Sequence, residues 1–298
     1  VEIGKDRFMG WELSRAWKLL LPHKLMGAVC RLATIFGEFT QDARSLGLRS
    51  AWSLLWIEIE HWIRQIFQRN ELHRIPRDLV KLRLKGYAQP LWIRRNTSDR
   101  FVVRQVFRDG DYSSVDLAGP IRRFVDAGAN IGCTTFYLLH RYPHSEGDAI
   151  EADPENLALC QKNLAPFVGR VRLHGKGVWP RSMPLRLVKP AGGLGLESTI
   201  SVVECLPGEA GDIDGVSLDD LRMSGNQDTF DLVKMDIEGA ERPILEAHPR
   251  WLDSTRNLMI ELHGPEARKA FDQALLGYRS TRIAEVGDVT VCTGLERL

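Results

Sequence analysis

Cysteine is scarce and scattered: Cys30, Cys133, Cys160, Cys205 and Cys292 are odd in number and form no Cys-x-x-Cys pair. That pattern argues against a disulfide framework and a zinc site, and it fits a reducing compartment such as the cytoplasm. No apolar run approaches the roughly 18 residues needed to cross a bilayer. A dominant sign of charge is missing too. The 40 Lys and Arg residues face 39 Asp and Glu, a net charge of +1, so no global field draws the chain to nucleic acid. There is no Asn-Pro-Pro-Tyr or Asp-Pro-Pro-Tyr stretch and no Pro-Cys pair, which weakens a reading in which the chain modifies the exocyclic amines of bases or the cytosine ring carbon. Internal repeats and low-complexity segments are absent. What remains is a 298-residue globular chain, 44% hydrophobic, with enough apolar content for a substantial core. It opens at Val1, which leaves room for a removed leader.

Residues 1–75 read as a helical extension, with hydrophobic spacing near the helical period. In its best piece Trp52, Leu55, Trp56, Ile59, Ile63, Ile66 and Phe67 share one face. The tryptophans invite a membrane-surface reading, but Glu58 and Glu60 on the same helix argue against anionic lipid. The expectation is therefore packing against the main domain or a second subunit. Arg74-Ile75-Pro76-Arg77 marks a boundary, because proline restricts the residue before it. Two short strands fit Leu79–Leu84 and Leu91–Ile93, and Thr97-Ser98-Asp99 caps a helix over Phe101–Phe107.

From Arg122 onward short apolar strands alternate with amphipathic runs, the rhythm of an α/β, doubly wound, mostly parallel sheet. Strands are expected near 123–127, 147–151, 170–174, 230–236 and 257–262. Asp153-Pro154 and Ser217-Leu218-Asp219-Asp220 start helices. Gly287-Asp288 marks a hairpin between 278 and 293. The stretch 176–216, which holds Gly192-Gly193-Leu194-Gly195, breaks the rhythm and reads as a long loop, either a substrate cover or a floppy insertion.

The organising element is Phe124-Val125-Asp126-Ala127-Gly128-Ala129-Asn130-Ile131-Gly132, an apolar run that stops at an acid and gives way to small residues before a helix. Glycine at a strand-to-helix turn lets the backbone approach a ligand. A dinucleotide turn would want glycine at its first, third and sixth places, where this chain has Gly128, Asn130 and Cys133. The pattern Asp126-x-Gly128-x-Asn130-x-Gly132 is instead similar to the turn with which class I S-adenosylmethionine-dependent methyltransferases hold methionine and ribose. Asn130 can imitate glycine in a left-handed conformation. Ligands of open α/β sheets lie outside the strands' carboxyl ends, so the polar residues there matter most. They are Asp126; Glu151, 19 residues past Gly132 and able to accept two ribose hydroxyls; Lys234, Asp236, Glu238 and Glu241; and Glu261 with His263. Asp153 and Asn156 suit helix capping, with Asn156 also a candidate for the ribose side.

Five pieces in this order resemble the FkbM family of S-adenosylmethionine-dependent methyltransferases: Asp126–Gly132, Glu151–Asn156, Ser217–Leu221, Lys234–Glu241 and Ile260–His263. The resemblance spans roughly residues 80–265, and Ala152 departs from it where the family usually has proline. It implies a seven-stranded class I methyltransferase sheet over residues 76–298. It also implies O-methylation of a sugar, glycolipid or secondary metabolite, with S-adenosylmethionine as cofactor. His263 and Asp236 are the candidate bases, and Lys234 joins them either as a catalytic group or as a carboxylate's partner. Glu238 and Glu241 also suit a helix's first turn. Asp126, Gly128, Asn130, Gly132, Glu151 and Asn156 are the candidate cofactor set. Magnesium held by Asp236, Glu238 or Glu261 is left open and no metal ligand is assigned. The alternative function is a non-catalytic binding module that docks a partner, or a second copy, through the amino-terminal helices.

Overall fold

In the computed structural model, which describes residues 23–67, 78–189, 200–206, 208–224 and 229–298, the chain opens with α1 (His23–Ser45) and α2 (Leu48–Phe67). Gly47, at φ 89°, turns the chain between them in the left-handed conformation that commonly closes a helix. β1 (Leu79–Leu82) and β2 (Leu91–Arg94) pair antiparallel as a separate two-stranded sheet rather than entering the main one. α3 (Asp99–Arg104) runs on as a π-helical turn over Gln105–Asp109 that ends at the left-handed Gly110. The expected boundary at Arg74–Arg77 and the run Gly192–Gly195 lie outside the described residues.

The strand–helix alternation then begins with β3 (Arg123–Ala127), α4 (Cys133–Arg141), β4 (Glu146–Ile150), α5 (Pro154–Leu164) and β5 (Val171–His174). Asp153 caps α5 as expected, its side chain accepting from the backbone N–H groups of Glu155 and Asn156, with Pro154 in the first helical turn. Four short strands follow: β6 (Gly177–Val178), β7 (Pro184–Val188), β8 (Ser201–Glu204) and β9 (Ile213–Val216). They form a small sheet in the order β6-β9-β7-β8, so the expectation of a long loop does not hold for the described part. Leu185, Val202 and Val216 bury there beside Val178 and give the insertion an apolar anchor.

α6 (Leu218–Ser224), β10 (Leu232–Met235), α7 (Glu241–Glu246), β11 (Asn257–Glu261) and α8 (Pro265–Ala274) continue the alternation. β12 (Tyr278–Arg279), β13 (Arg282–Val286), β14 (Val289–Thr293) and β15 (Glu296–Arg297) close the chain. The main sheet has seven strands in the order β13-β14-β11-β10-β3-β4-β5. Its strands from β11 to β5 are parallel, while the β13–β14 hairpin, turning at Gly287 with φ 58°, adds antiparallel to β11. The sheet is thus mixed, with α-helices against it.

Alternation along the strands feeds two cores. Phe124 of β3 packs in one with Phe136, Leu139 and Leu159 of α4 and α5. Its neighbours Val125 and Ala127 point the other way and share a core with Ile244, Leu245 and Phe271 of α7 and α8. Each such large side chain contributes about 1.5–3 kcal/mol by leaving water. With both faces so filled, β3 cannot slip, and its end at Asp126 is held in place.

The α1–α2 hairpin is held by charge as well as by apolar packing. Arg104 Nη2 reaches Asp42 at 2.9 Å and its Nη1 reaches Glu58 at 3.0 Å; Arg100 meets Glu58 at 2.9 Å. Arg108 pairs with Glu38 and Asp42, and Arg95 with Glu60. Of the expected face, Trp52 and Trp56 stay outside the contact with the main domain, and the side chains of Ile63, Ile66 and Phe67 lie outside the described residues. Ser50, Ala51, Leu54, Ile57 and Glu58 turn inward, whereas Trp52 and Trp56 are exposed. The reason is electrostatic: α2 is apolar on more than one side, and the arginines of α3 select the rotation that buries Glu58 against them. No described helix is long and apolar enough to cross a membrane.

Candidate active site

Parallel strands β3, β4, β10 and β11 end on one edge of the sheet, and a cavity of about 460 Å³ lies there. Its floor is the turn after β3. Gly128, Asn130 and Gly132 all take left-handed backbone, at φ 78°, 50° and 86°. A Cβ on Gly128 would overlap the Asp236 carbonyl, whose carbon lies 2.8 Å away, so the close passage of β3's end beside β10's end needs glycine. Asn130 does imitate glycine: its own Oδ1 accepts from Ile131 N at 2.7 Å and steadies the left-handed bend. Asp126 is fully buried, accepts from Thr135 Oγ1 at 2.5 Å and faces Lys234 Nζ at 3.1 Å.

β4 delivers Glu151 to the cavity wall. Its carboxylate accepts from Asn130 N at 2.7 Å and from Asp153 N at 2.8 Å, tying the two loops together. Burial nevertheless pushes its carboxyl up to about 7, because those bonds do not replace the lost water. Asn156 also lines the cavity, held by Arg94 Nη2, which donates to its Oδ1 at 2.7 Å. Arg94 is fixed in turn by Asp99. Arg94 ends β2, outside the main sheet, and Asp99 opens α3, so a rule drawn from the ends of the main sheet's strands does not point to them.

β10 and β11 deliver the charged cluster. Lys234 Nζ donates to Gly128 O at 2.6 Å and lies 3.9 Å from Asp236. Burial works against its charge, but Asp126, Tyr112 and Asp236 prevail and hold the ammonium well above its ordinary pKa. Lys234 is therefore a fixed cation. Asp236, Glu238 and Glu261 all line the cavity, and burial raises each carboxyl, Glu238 to about 7. Glu238 itself has φ 55°, a left-handed backbone uncommon for a residue with a Cβ and frequent at functional sites. Glu241 turns away from the cavity to accept from Ile237 N at 3.0 Å and Gly239 N at 2.9 Å.

His263 stands behind these acids rather than among the cavity-lining residues. Its Nδ1 donates to Glu241 at 3.0 Å, and Nε2 lies 3.4 Å from Glu238 and 3.6 Å from Glu261. The bond to Glu241 and the surrounding carboxylates raise its pKa. Ligand atoms of Asp236, Glu261 and His263 come within 4.8 Å of one another, close enough to converge on a cation.

The far wall comes from segments that strand-end reasoning passes over. The π-helical turn supplies Gln105, Val106 and Asp109, the following bend Asp111 and Tyr112, and the β13–β14 turn Asp288. A buried Tyr112, its hydroxyl pKa raised by burial, sits with its ring 5.9 Å from Lys234 Nζ. Gly287-Asp288 is legible in the sequence as a turn, but its reach into the cavity is not. Lys176, Gly177, Val178, Ile200 and Val202 of the insertion complete the lining. The walls are strongly acidic.

Residues 126–280, just over half of the chain, match a family model described as the methyltransferase FkbM domain. A search of curated proteins returns no match. Among solved structures the chain is similar to methyltransferase FkbM from Methylobacillus flagellatus KT, at 21% identity and a TM-score of 0.43, over 60% of this chain and 45% of that one. The chain thus spans less than half the length of that relative. It is also similar to the StiE O-MT, at 13% identity and a TM-score of 0.37, over 76% of this chain and 61% of that one. A third likeness is to TrmK of M. capricolum in complex with S-adenosyl-homocysteine, at 13% identity and a TM-score of 0.33, over 59% of this chain and 62% of that one.

Proposed function

The chain belongs to the FkbM methyltransferase family, and from that premise we propose that it moves a methyl group from S-adenosylmethionine to a hydroxyl of a sugar, glycolipid or secondary metabolite. The observation that carries this reading is Glu151 at the wall of the glycine-turned cavity. Its carboxyl, raised to about 7 by burial, accepts from Asn130 N, Asp153 N and Asn156 Nδ2, and a ribose diol would donate to the lone pairs that remain. Gly128 and Asn130 leave the floor open to the methionine end, and Asn156 stands beside Glu151 for the ribose.

The cofactor, when bound, supplies a methyl already activated on a sulfonium. The chain's own residues then have two tasks: to align the acceptor oxygen, the larger contribution, and to take its proton. Asp236 is the base in this reading, since it lines the cavity and His263 does not. Lys234 at 3.9 Å and His263, both cationic, favour the ionised form of Asp236 against the burial that opposes it. His263 is a positioning residue, fixed by Glu241 and balancing Glu238 and Glu261. Tyr112 faces the same space and is placed to orient an acceptor hydroxyl.

The test is formation of S-adenosylhomocysteine with a panel of sugars, glycolipids and hydroxylated metabolites, followed by mass analysis for a product heavier by one methylene. Asp236→Asn should keep S-adenosylhomocysteine binding while turnover falls about 10²–10⁴-fold, the usual weight of a general base. Full turnover in that variant contradicts the assignment of Asp236. Methylation of amines with no methylation of hydroxyls contradicts the acceptor class.

A further inference from the structure

We propose that the outward face of the α1–α2 hairpin docks this protein onto an anionic lipid surface. Leu48, Trp52 and Trp56 follow one another at intervals of four along α2, and Trp52 and Trp56 are 61% and 64% exposed. Leu32 and Phe36 make a matching line on α1, with Phe36 68% exposed, and Phe39 joins the two lines through a ring contact with Trp52 at 4.9 Å. An apolar, aromatic face of this kind marks an interaction site.

The charges around it select the partner. Glu38, Asp42, Glu58 and Glu60 are all the acids of the two helices, and each one pairs with an arginine of the body: Arg95, Arg100, Arg104 or Arg108. The acids that argue against lipid in the sequence are thus consumed inside the protein. Exposed on the hairpin are Arg31, Arg44 and Arg49. Tryptophan and phenylalanine bordered by arginine, with the acids turned away, is the chemistry of an interfacial anchor. A second copy fits less well. A two-fold contact brings together two copies of a patch whose exposed charges, among the described side chains, are arginines, with no exposed acid on either hairpin to answer them. Each arginine held near an anionic membrane contributes about fivefold in affinity, about 1 kcal/mol. α3 lies between the hairpin and the cavity, giving its arginines to one and Phe101 and Val102 to the other.

The experiment is co-sedimentation of the full chain with phosphatidylglycerol vesicles and with phosphatidylcholine vesicles, at low and high salt. Binding to the first, weakened by salt and lost in the double variant Trp52→Ser with Trp56→Ser, is the expected result. The triple variant Arg31→Glu, Arg44→Glu, Arg49→Glu covers the case in which the tryptophan variant fails to fold, and should lower affinity by about a hundredfold. Thermal melting and S-adenosylhomocysteine binding serve as checks that each variant is intact. No binding to phosphatidylglycerol vesicles overturns the proposal, as does undiminished binding by intact variants. So does a dimer that the tryptophan variant splits while vesicles are ignored, which would assign the face to a second copy.

Discussion

Replacing Gly128 by alanine tests whether the turn after β3 is built as described. Two costs can be worked from the geometry. At φ 78° an alanine is in left-handed backbone, about 1–2 kcal/mol less favourable than for glycine. Its Cβ would overlap the Asp236 carbonyl oxygen, with the carbonyl carbon at 2.8 Å and Ile237 Cγ2 at 3.2 Å. Comfortable carbon contacts lie near 3.5–4.0 Å, so the turn must draw away from β10, an overpacking strain of about 1–3 kcal/mol. That movement also strains the bonds from Lys234 Nζ to Gly128 O at 2.6 Å and from Gly128 N to Ile150 O at 3.0 Å. Gly86 provides the control: its φ is 86°, yet nothing lies within 4 Å of a Cβ there. Gly86→Ala should show the backbone cost alone. Urea unfolding should place Gly128→Ala about 1–3 kcal/mol below Gly86→Ala, and calorimetry should show S-adenosylhomocysteine binding weakened in the first variant alone. Equal stability of the two, with wild-type binding by Gly128→Ala, would show that the turn has room for a side chain and that its close passage by β10 is unimportant.

Glu151→Gln removes a charge-assisted acceptor, and its affinity for S-adenosylhomocysteine should fall about tenfold or more; unchanged affinity takes Glu151 out of the cofactor site. His263→Ala removes the cation that lowers Asp236, Glu238 and Glu261, so those carboxyls rise further. The acid limb of turnover should then move to higher pH with cofactor affinity retained, and an unmoved limb contradicts the positioning role. Glu238, whose ordinary pKa of 4.5 is raised to about 7 in the fold, opposes folding once it ionises. The stability of Glu238→Gln relative to wild type should accordingly grow as pH rises from 4.5 to 7 and stay level above; parallel melting curves would contradict this. Arg104→Ala takes from Asp42 and Glu58 one of their two arginine partners, with Arg108 and Arg100 remaining, and should cost about 1–3 kcal/mol in urea unfolding, whereas wild-type stability would deny Arg104 its role in the network.

Much of this architecture is legible residue by residue. β3, β10 and β11 fall on apolar runs because parallel strands covered on both faces need near-continuous apolar residues, whereas β4 and β5, which carry Asp148 and Arg172, are found by their place in the strand–helix alternation. Asp153-Pro154 marks the start of α5, and Gly287-Asp288 marks the hairpin, because both features are local chemistry. Asn130 takes the left-handed backbone expected of it. The rotation of α2 is not legible: its apolar residues cover more than one side, and the choice rests on arginines more than thirty positions away in sequence. The insertion hides its strands because β6–β9 are two to five residues long among prolines and glycines. At the site, the turn and the strand ends are read correctly as neighbours. Tyr112, Asp111 and Asp288 are missed because they reach the cavity from bends that carry no periodic signal.

In the proposed function the cavity beside Gly128 and Glu151 receives an adenosyl sulfonium cofactor. Calorimetric titration of the wild-type chain with S-adenosylmethionine, S-adenosylhomocysteine and NAD in parallel tests it most directly. Saturable binding of the first two and none of NAD is the predicted result. A well-folded chain that binds neither of the first two, or that binds NAD instead, would contradict it.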